Sequence, residues 1–327
     1  MPHRAAPIID LGAFESGTND ARHRIASEVD EICRRTGFIT LVGHQVDEQV
    51  MRTMWNTMRE FFDQPAHIKL ESGVPHPGYP YGYMGVTEET LAKSRGDVTP
   101  PDLKETFNAG PLTRDPALTD PEALAFCHVP TPWPTNPPQF RDVWAAYYRE
   151  MEKLSTRIMG MFAVALDLPN DHFDEFLTFP ISAMRALNYP PQRSRPVEEQ
   201  MRAGAHSDYG SLTVLWPQDD SRGLEILGLD GDWHEVIPHD GAFIINIGDL
   251  LQRWTNDRWR STMHRVNNPG NLDDSGTRRQ SIAYFHQPNW DARVECLPSC
   301  EGEGPRYAPV ASGPYLMEKF RSTVATS

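Results

Sequence analysis

The chain has 327 residues, of which 39% are apolar and 23% charged, and its 31 basic against 45 acidic side chains leave a formal charge of −14. That acidity argues against nucleic acid or an anionic bilayer as a partner, because both demand a basic face. No apolar run approaches the ~18–20 residues that span a membrane, and the opening MPHRAAPIIDLGAF holds no apolar signal-peptide core, so a cytoplasmic protein of one large domain or two ordinary ones is expected.

In chain order, residues 7–11 read as a short strand ending in a turn. Residues 19–36 have helical spacing, with Ile25, Val29 and Ile32 on one face. Residues 37–42 are a β-rich run closed by Gly43, and residues 47–62 carry the helical stripe Val50, Met54, Met58 and Phe61. Residues 71–139 are rich in Gly, Pro and Tyr and are expected as loop with a few strands, 102–107 being their one β-suggestive stretch. The longest helical pattern, 138–168, repeats Val143, Tyr147, Met151, Leu154, Ile158, Met161 and Phe162 on one side, which reads as core packing.

After about residue 181 the texture changes. Short β-like runs at 182–189, 211–216, 224–227, 233–237, 243–247, 264–266 and 281–286 alternate with turn signals such as Asp230-Gly231 and Asn268-Pro269-Gly270. Regularly spaced short strands indicate a sandwich or barrel. The expected architecture is mixed α/β with a mainly β core. A helical and mixed region (1–180) packs on a β core (181–300), a tail and helix (301–327) follow, and the whole forms one structural unit. The four cysteines, Cys33, Cys127, Cys296 and Cys300, are scattered and expected as free thiols.

The chemistry centres on Ala205-His206-Ser207-Asp208. If this stretch is a strand, His206 and Asp208 project from one face and grip one ion. His264 is the best third ligand. Two imidazoles and one carboxylate on one side of a metal are the facial triad of non-haem Fe(II) oxygenases, which leaves positions open for a bidentate co-substrate and O2. A lone H-x-D is a weak signal among 12 histidines and 45 acids. It gains weight from Arg279 and Ser281, which share a strand face in the run Thr277–Phe285. A guanidinium fork with a hydroxyl beside it suits the distal carboxylate of a dicarboxylic keto acid, and an arginine inside an apolar strand is costly unless paired.

At these residues the chain resembles the isopenicillin N synthase-like branch of the iron/2-oxoglutarate-dependent dioxygenases. The resemblance is carried by residues 7–11, DLKETFNAG at 102–110, Asn188-Tyr189-Pro190-Pro191, the H-x-D run with the block GAFIINIGDLLQRWTNDRWRSTMHRV at 241–266, and R-x-S at 279–281. It implies a double-stranded β-helix, or jelly roll, with flanking N-terminal helices. It implies His206, Asp208 and His264 as iron ligands and as the catalytic centre, with Arg279, Ser281 and Tyr189 holding 2-oxoglutarate. It also places Arg185 toward the substrate, an ion pair behind the site being the equal alternative. Fe(II), 2-oxoglutarate and O2 are the implied cofactor and co-substrates. The implied reaction hydroxylates, desaturates or cyclises a small organic substrate and releases succinate and CO2. Retention of Asp208 favours oxygenation over halogenation.

The substrate pocket is expected to draw on Tyr83, Phe107, Arg185 and Phe285, with Met317 and Phe320 of a C-terminal helix. Phe107 and Phe285 fit plain core packing equally well. One cation among aromatics suggests a small molecule bearing a carboxylate. Three alternatives stand beside this. One is a 2-oxoglutarate-independent oxidase of the isopenicillin N synthase type, although the tail after Cys300 lacks the glutamine such an oxidase carries. Another is ethylene-forming fragmentation of 2-oxoglutarate, and the third is a non-catalytic metal-stabilised binding protein.

Overall fold

The computed structural model describes residues 5–95, 99–192, 194–219, 221–270 and 277–324. The N-terminal part contributes β1 (Ile8–Asp10), α1 (Leu11–Ser16), α2 (Asn19–Arg35), β2 (Phe38–Val42), α3 (Glu48–Phe62), α4 (Ala66–Lys69), β3 (Gly82–Met84), β4 (Glu105–Ala109), α5 (Pro121–Phe126) and α6 (Phe140–Ala165). The residues expected as a turn after the first strand are α1, because the Asp10 carboxylate caps it by accepting from the Ala13 N–H at 3.0 Å. The region 71–139, expected as loop with a few strands, holds β3 and β4 and also the helix α5.

The β-rich part comprises β5 (Ala183–Tyr189), β6 (Ala203–His206), β7 (Leu212–Pro217), β8 (Leu224–Leu227), β9 (Trp233–Glu235), β10 (Phe243–Ile247), α7 (Asp249–Trp254), β11 (His264–Val266) and β12 (Arg279–His286). It closes with β13 (Arg293–Val294), β14 (Val310–Ala311) and α8 (Ser312–Val324). An eight-stranded sheet runs β1-β2-β10-β7-β12-β5-β4-β3, and a four-stranded sheet runs β6-β11-β8-β9. The N-terminal strands β1–β4 therefore hydrogen-bond into the same large sheet as β5, β7, β10 and β12. The two sheets enclose a small apolar interior that includes Leu187, Tyr189, Ala203, Ile226, Val266 and Ala283.

The outer face of the large sheet packs on helices. Met184, Ala186, Ile282 and Tyr284 meet Trp144, Tyr147, Tyr148 and Ile158 of α6 in the main core, where each large side chain contributes roughly 1.5–3 kcal/mol by leaving water. Alternation along the strands then fixes what faces inward: Arg185, Leu187 and Tyr189 on β5, and Arg279, Ser281, Ala283 and Phe285 on β12. The predicted stripe of α6 is buried from Tyr147 to Phe162. No helix among the described residues is long and apolar enough to cross a membrane.

Candidate active site

His206 ends β6 and is the direct cross-strand partner of His264 on β11. Asp208 is not in the strand. It lies in the loop after β6, so strand alternation does not place it beside His206. A backbone clasp places it instead. The first turn of α7 has no side-chain cap. Its N–H groups donate to the loop carbonyls, Asp249 to Asp208 at 2.7 Å and Leu250 to Gly210 at 3.1 Å. This contact needs glycine at 248, where an added Cβ would stand 2.1 Å from the Gly210 oxygen.

Each imidazole turns Nδ1 to a backbone carbonyl two residues earlier, His206 to Gly204 at 2.8 Å and His264 to Thr262 at 3.1 Å. A carbonyl only accepts, so both Nδ1 atoms carry the proton and both Nε2 lone pairs are free for an ion. The two Nε2 atoms lie 3.9 and 3.8 Å from Oδ1 of Asp208, and the three ligand atoms are within 4.8 Å of one another. The other carboxylate oxygen is engaged: Oδ2 accepts from Thr213 Oγ1 at 2.5 Å and from Asn246 Nδ2 at 2.7 Å. Burial and the neighbouring His264 push His206 down to about 3, so its imidazole is neutral. Burial acts to raise Asp208, but His264, His206 and the hydrogen bonds from Thr213 and Asn246 outweigh it and hold the carboxyl below its usual range. Two imidazoles and one carboxylate form a donor set that fits a divalent iron.

Beside this centre, β12 pairs antiparallel with β5, which sets Arg279 directly across from Tyr189. The guanidinium carbon of Arg279 stands 5.0 Å from the Tyr189 ring centroid, and its Nη1 donates to Ser281 Oγ at 3.3 Å. Arg279 is 3% exposed, and its Nε meets no hydrogen-bond partner among the described residues. A buried guanidinium with an orphaned donor is costly unless an anion reaches it. The predicted pairing of Arg279 and Ser281 on one strand face is what the structure shows.

The predicted substrate residues divide. Arg185 and Phe285 lie on the inner face, with the Arg185 guanidinium carbon 5.9 Å from the Phe285 ring centroid. Arg185 is paired: Nη1 reaches the Glu89 oxygens at 3.0 and 3.1 Å, and Nε donates to Asn108 at 2.6 Å. Burial acts to raise Glu89, but Arg185 and Lys104 pull it down to about 2.

Phe107 and Tyr83 are on the wrong face. Phe107 has no exposure, and its ring packs 5.0 Å from Phe140 and 5.2 Å from Trp144 under the helices. Tyr83 donates to Glu105 Oε2 at 2.5 Å and packs edge-on to Phe61 on that same helical side. The cause is strand parity: on β4 the inward position next to Phe107 belongs to Asn108, opposite Arg185. Met317 also misses the pocket and joins a separate cluster with Ala123, Ile181 and Trp290. Phe320 stacks edge-on with Phe126, which packs on that cluster.

Sequence reasoning missed Thr213, Asn246 and Glu89. Asn246 had a signal, being the one polar residue in the apolar strand FIINI. Glu89 had none, since its partner Arg185 lies 96 residues away.

The chain matches two family models. Residues 6–136 match the non-haem dioxygenase in morphine synthesis N-terminal model, and residues 180–288 match the 2OG-Fe(II) oxygenase superfamily. A 2-oxoglutarate-Fe(II) type oxidoreductase of Emericella nidulans is 31% identical over 319 residues, 95% of this chain and 88% of the relative. The crystal structure of a full-length Neurospora crassa protein in complex with alpha-KG and thymine superposes with a TM-score of 0.83 at 29% identity, covering 97% of each chain. That of JOX2 in complex with 2OG, Fe and JA gives 0.76 at 28% identity, covering 98% of this chain and 85% of the other.

Proposed function

The chain belongs to the 2-oxoglutarate–Fe(II) oxygenase superfamily, and from that premise we propose that His206 Nε2, Asp208 Oδ1 and His264 Nε2 hold the iron while Arg279, Ser281 and Tyr189 receive the distal carboxylate of 2-oxoglutarate. The enzyme is an oxidoreductase that uses Fe(II), 2-oxoglutarate and O2 on small substrates, with an expanded jelly-roll core. Oxidation without 2-oxoglutarate and fragmentation of 2-oxoglutarate are not favoured, given relatives and structures defined by 2-oxoglutarate.

The observation that carries the assignment of roles is the convergence of three free donor atoms beside a buried, unsatisfied guanidinium. When bound, iron with 2-oxoglutarate and O2 supplies oxidative decarboxylation to succinate and CO2 and the oxidising power to attack a C–H bond. The protein's share is placement. The two Nδ1–H···O=C bonds hold the imidazole planes, and Thr213 with Asn246 holds the carboxylate so that Oδ1 faces inward. Ala283, Leu187 and neighbouring apolar side chains keep the interior dry.

The substrate we propose is a small, largely uncharged organic molecule bound on the inner face near Arg185 and Phe285, and the reaction its hydroxylation. Glu89 already neutralises Arg185, so the carboxylate inferred from one lone cation loses its support. Thymine in the Neurospora crassa complex is of this size and neutrality. Incubation of the enzyme with Fe(II), ascorbate, 2-oxoglutarate and a pool of small metabolites tests this. Stoichiometric succinate with a product 16 mass units heavier supports it, and succinate-free turnover or no turnover with any substrate defeats it.

A further inference from the structure

Of the four buried lysines and arginines among the described residues, two come with an acid, as do half-buried Arg185 and Arg265. Lys69 pairs with Glu105 at 2.6 Å, Lys104 with Asp102 at 2.5 Å and Glu89 at 2.9 Å, Arg185 with Glu89 at 3.0 Å and Arg265 with Glu225 at 2.6 Å. The other two fully buried cations do not. Arg279 and Arg202, 3% and 4% exposed, have no carboxylate partner among the described residues.

The two lie close together. Arg202 precedes β6, and its Nη2 donates to the carbonyl of Thr277, two residues before Arg279. Its guanidinium carbon is 6.0 Å from the Tyr189 ring centroid that Arg279 approaches to 5.0 Å. Burial and the charge of Arg279 push Arg202 down to about 10, as crowding of like charges away from water requires. Two buried guanidiniums without an acid carry a heavy desolvation cost, and the hydrogen bond to a neutral carbonyl does not offset it. An anion entering from solvent does.

We propose that Arg202 is a second anchor for the distal carboxylate of the keto acid, acting with Arg279 across Tyr189, and that the pair makes the pocket select a dicarboxylate. This rests on the assignment of Arg279, Ser281 and Tyr189 to 2-oxoglutarate. The keto-acid head contributes one negative charge near the metal, and the distal carboxylate contributes the second between the two guanidiniums. Arg202 thus recognises charge rather than the keto group.

Calorimetric titration of the full chain loaded with Mn(II), a redox-silent ion, separates the possibilities. The two titrants are 2-oxoglutarate and 2-oxobutyrate, which keeps the keto-acid head and lacks the distal carboxylate. Arg202→Met is expected to weaken 2-oxoglutarate binding at least tenfold and to leave 2-oxobutyrate within twofold. Arg202→Lys, which keeps the charge and loses the fork, is expected to fall between wild type and Arg202→Met for 2-oxoglutarate alone, and it decides the matter if Arg202→Met does not fold. Equal losses for both acids, or 2-oxoglutarate affinity within twofold of wild type, overturn the proposal. Arg279→Met is the control for the underlying assignment. If it abolishes discrimination between the acids and neither Arg202 variant changes it, only the role of Arg202 fails; if it leaves discrimination intact, the assignment fails with it.

Discussion

His206 and His264 face each other across the β6–β11 ladder with ring centroids 4.3 Å apart. Each spends its Nδ1 proton on the backbone carbonyl two residues earlier, so the pair presents two Nε2 lone pairs to one point rather than one to the other. The small sheet thus supplies two of the three donors of the proposed metal site from its own register, and Asp208 supplies the third from a loop.

Replacing His206 or His264 with Ala removes a donor outright. Metal affinity measured by titration is expected to fall by more than the roughly 10–100-fold that loss of a ligand's outer partner costs, while the metal-free variant keeps the far-ultraviolet dichroism of the wild type. A variant that still binds one equivalent of Fe(II) at wild-type affinity removes that residue from the ligand set.

Asn246 acts one step back. Asn246→Leu takes away the 2.7 Å donor that holds Asp208 Oδ2, and Fe(II) affinity is expected to drop roughly 10–100-fold without loss of binding stoichiometry. Unchanged affinity would mean that Thr213 alone orients the carboxylate.

On the proposed assignment, Arg279→Ala leaves the distal carboxylate of the co-substrate without its charged partner. Truncating one member of a buried charged pair costs roughly 2–5 kcal/mol, so the 2-oxoglutarate concentration for half-maximal succinate release is expected to rise at least about thirtyfold. A KM for 2-oxoglutarate equal to that of the wild type would contradict the assignment.

His286 is 2% exposed, with Nδ1 2.7 Å from Ser211 Oγ, and burial pushes it down to about 3. The unfolded chain takes up a proton near the ordinary histidine value of about 6.5, and the folded chain refuses it. Stability is therefore unaffected above that value and declines by about 1.4 kcal/mol per pH unit for this group as the pH falls from about 6.5 toward 3. Urea unfolding of the metal-free protein at pH 7, 6 and 5 is expected to show His286→Gln with a slope shallower by about half that amount between pH 7 and 6 and by about nine-tenths of it between pH 6 and 5. Parallel slopes would show that the histidine titrates normally in the fold.

Much of the local structure was legible in the residue pattern. The helices α2, α3 and α6 follow from apolar spacing, because helical periodicity is a local property of the chain. The grouping of His206 and Asp208 with His264, and of Arg279 with Ser281, was equally open to reading, since few side chain types ligate iron or fork onto a carboxylate. The strand argument for Asp208 was not the operative one; the clasp of α7 on the loop is.

Tertiary structure alone decided which way the less distinctive residues point and which charges meet. Phe107 and Asn108 are neighbours on β4, yet one lies under the helices and the other faces Arg185, because pairing with β5 sets the parity of the whole strand. Glu89 neutralises Arg185 across 96 residues of sequence, while Arg202 and Arg279 meet with no acid between them among the described residues. Composition reports the sum of the charges. Only the fold assigns each buried charge its partner, and burial makes that assignment matter, since water no longer screens a mismatch.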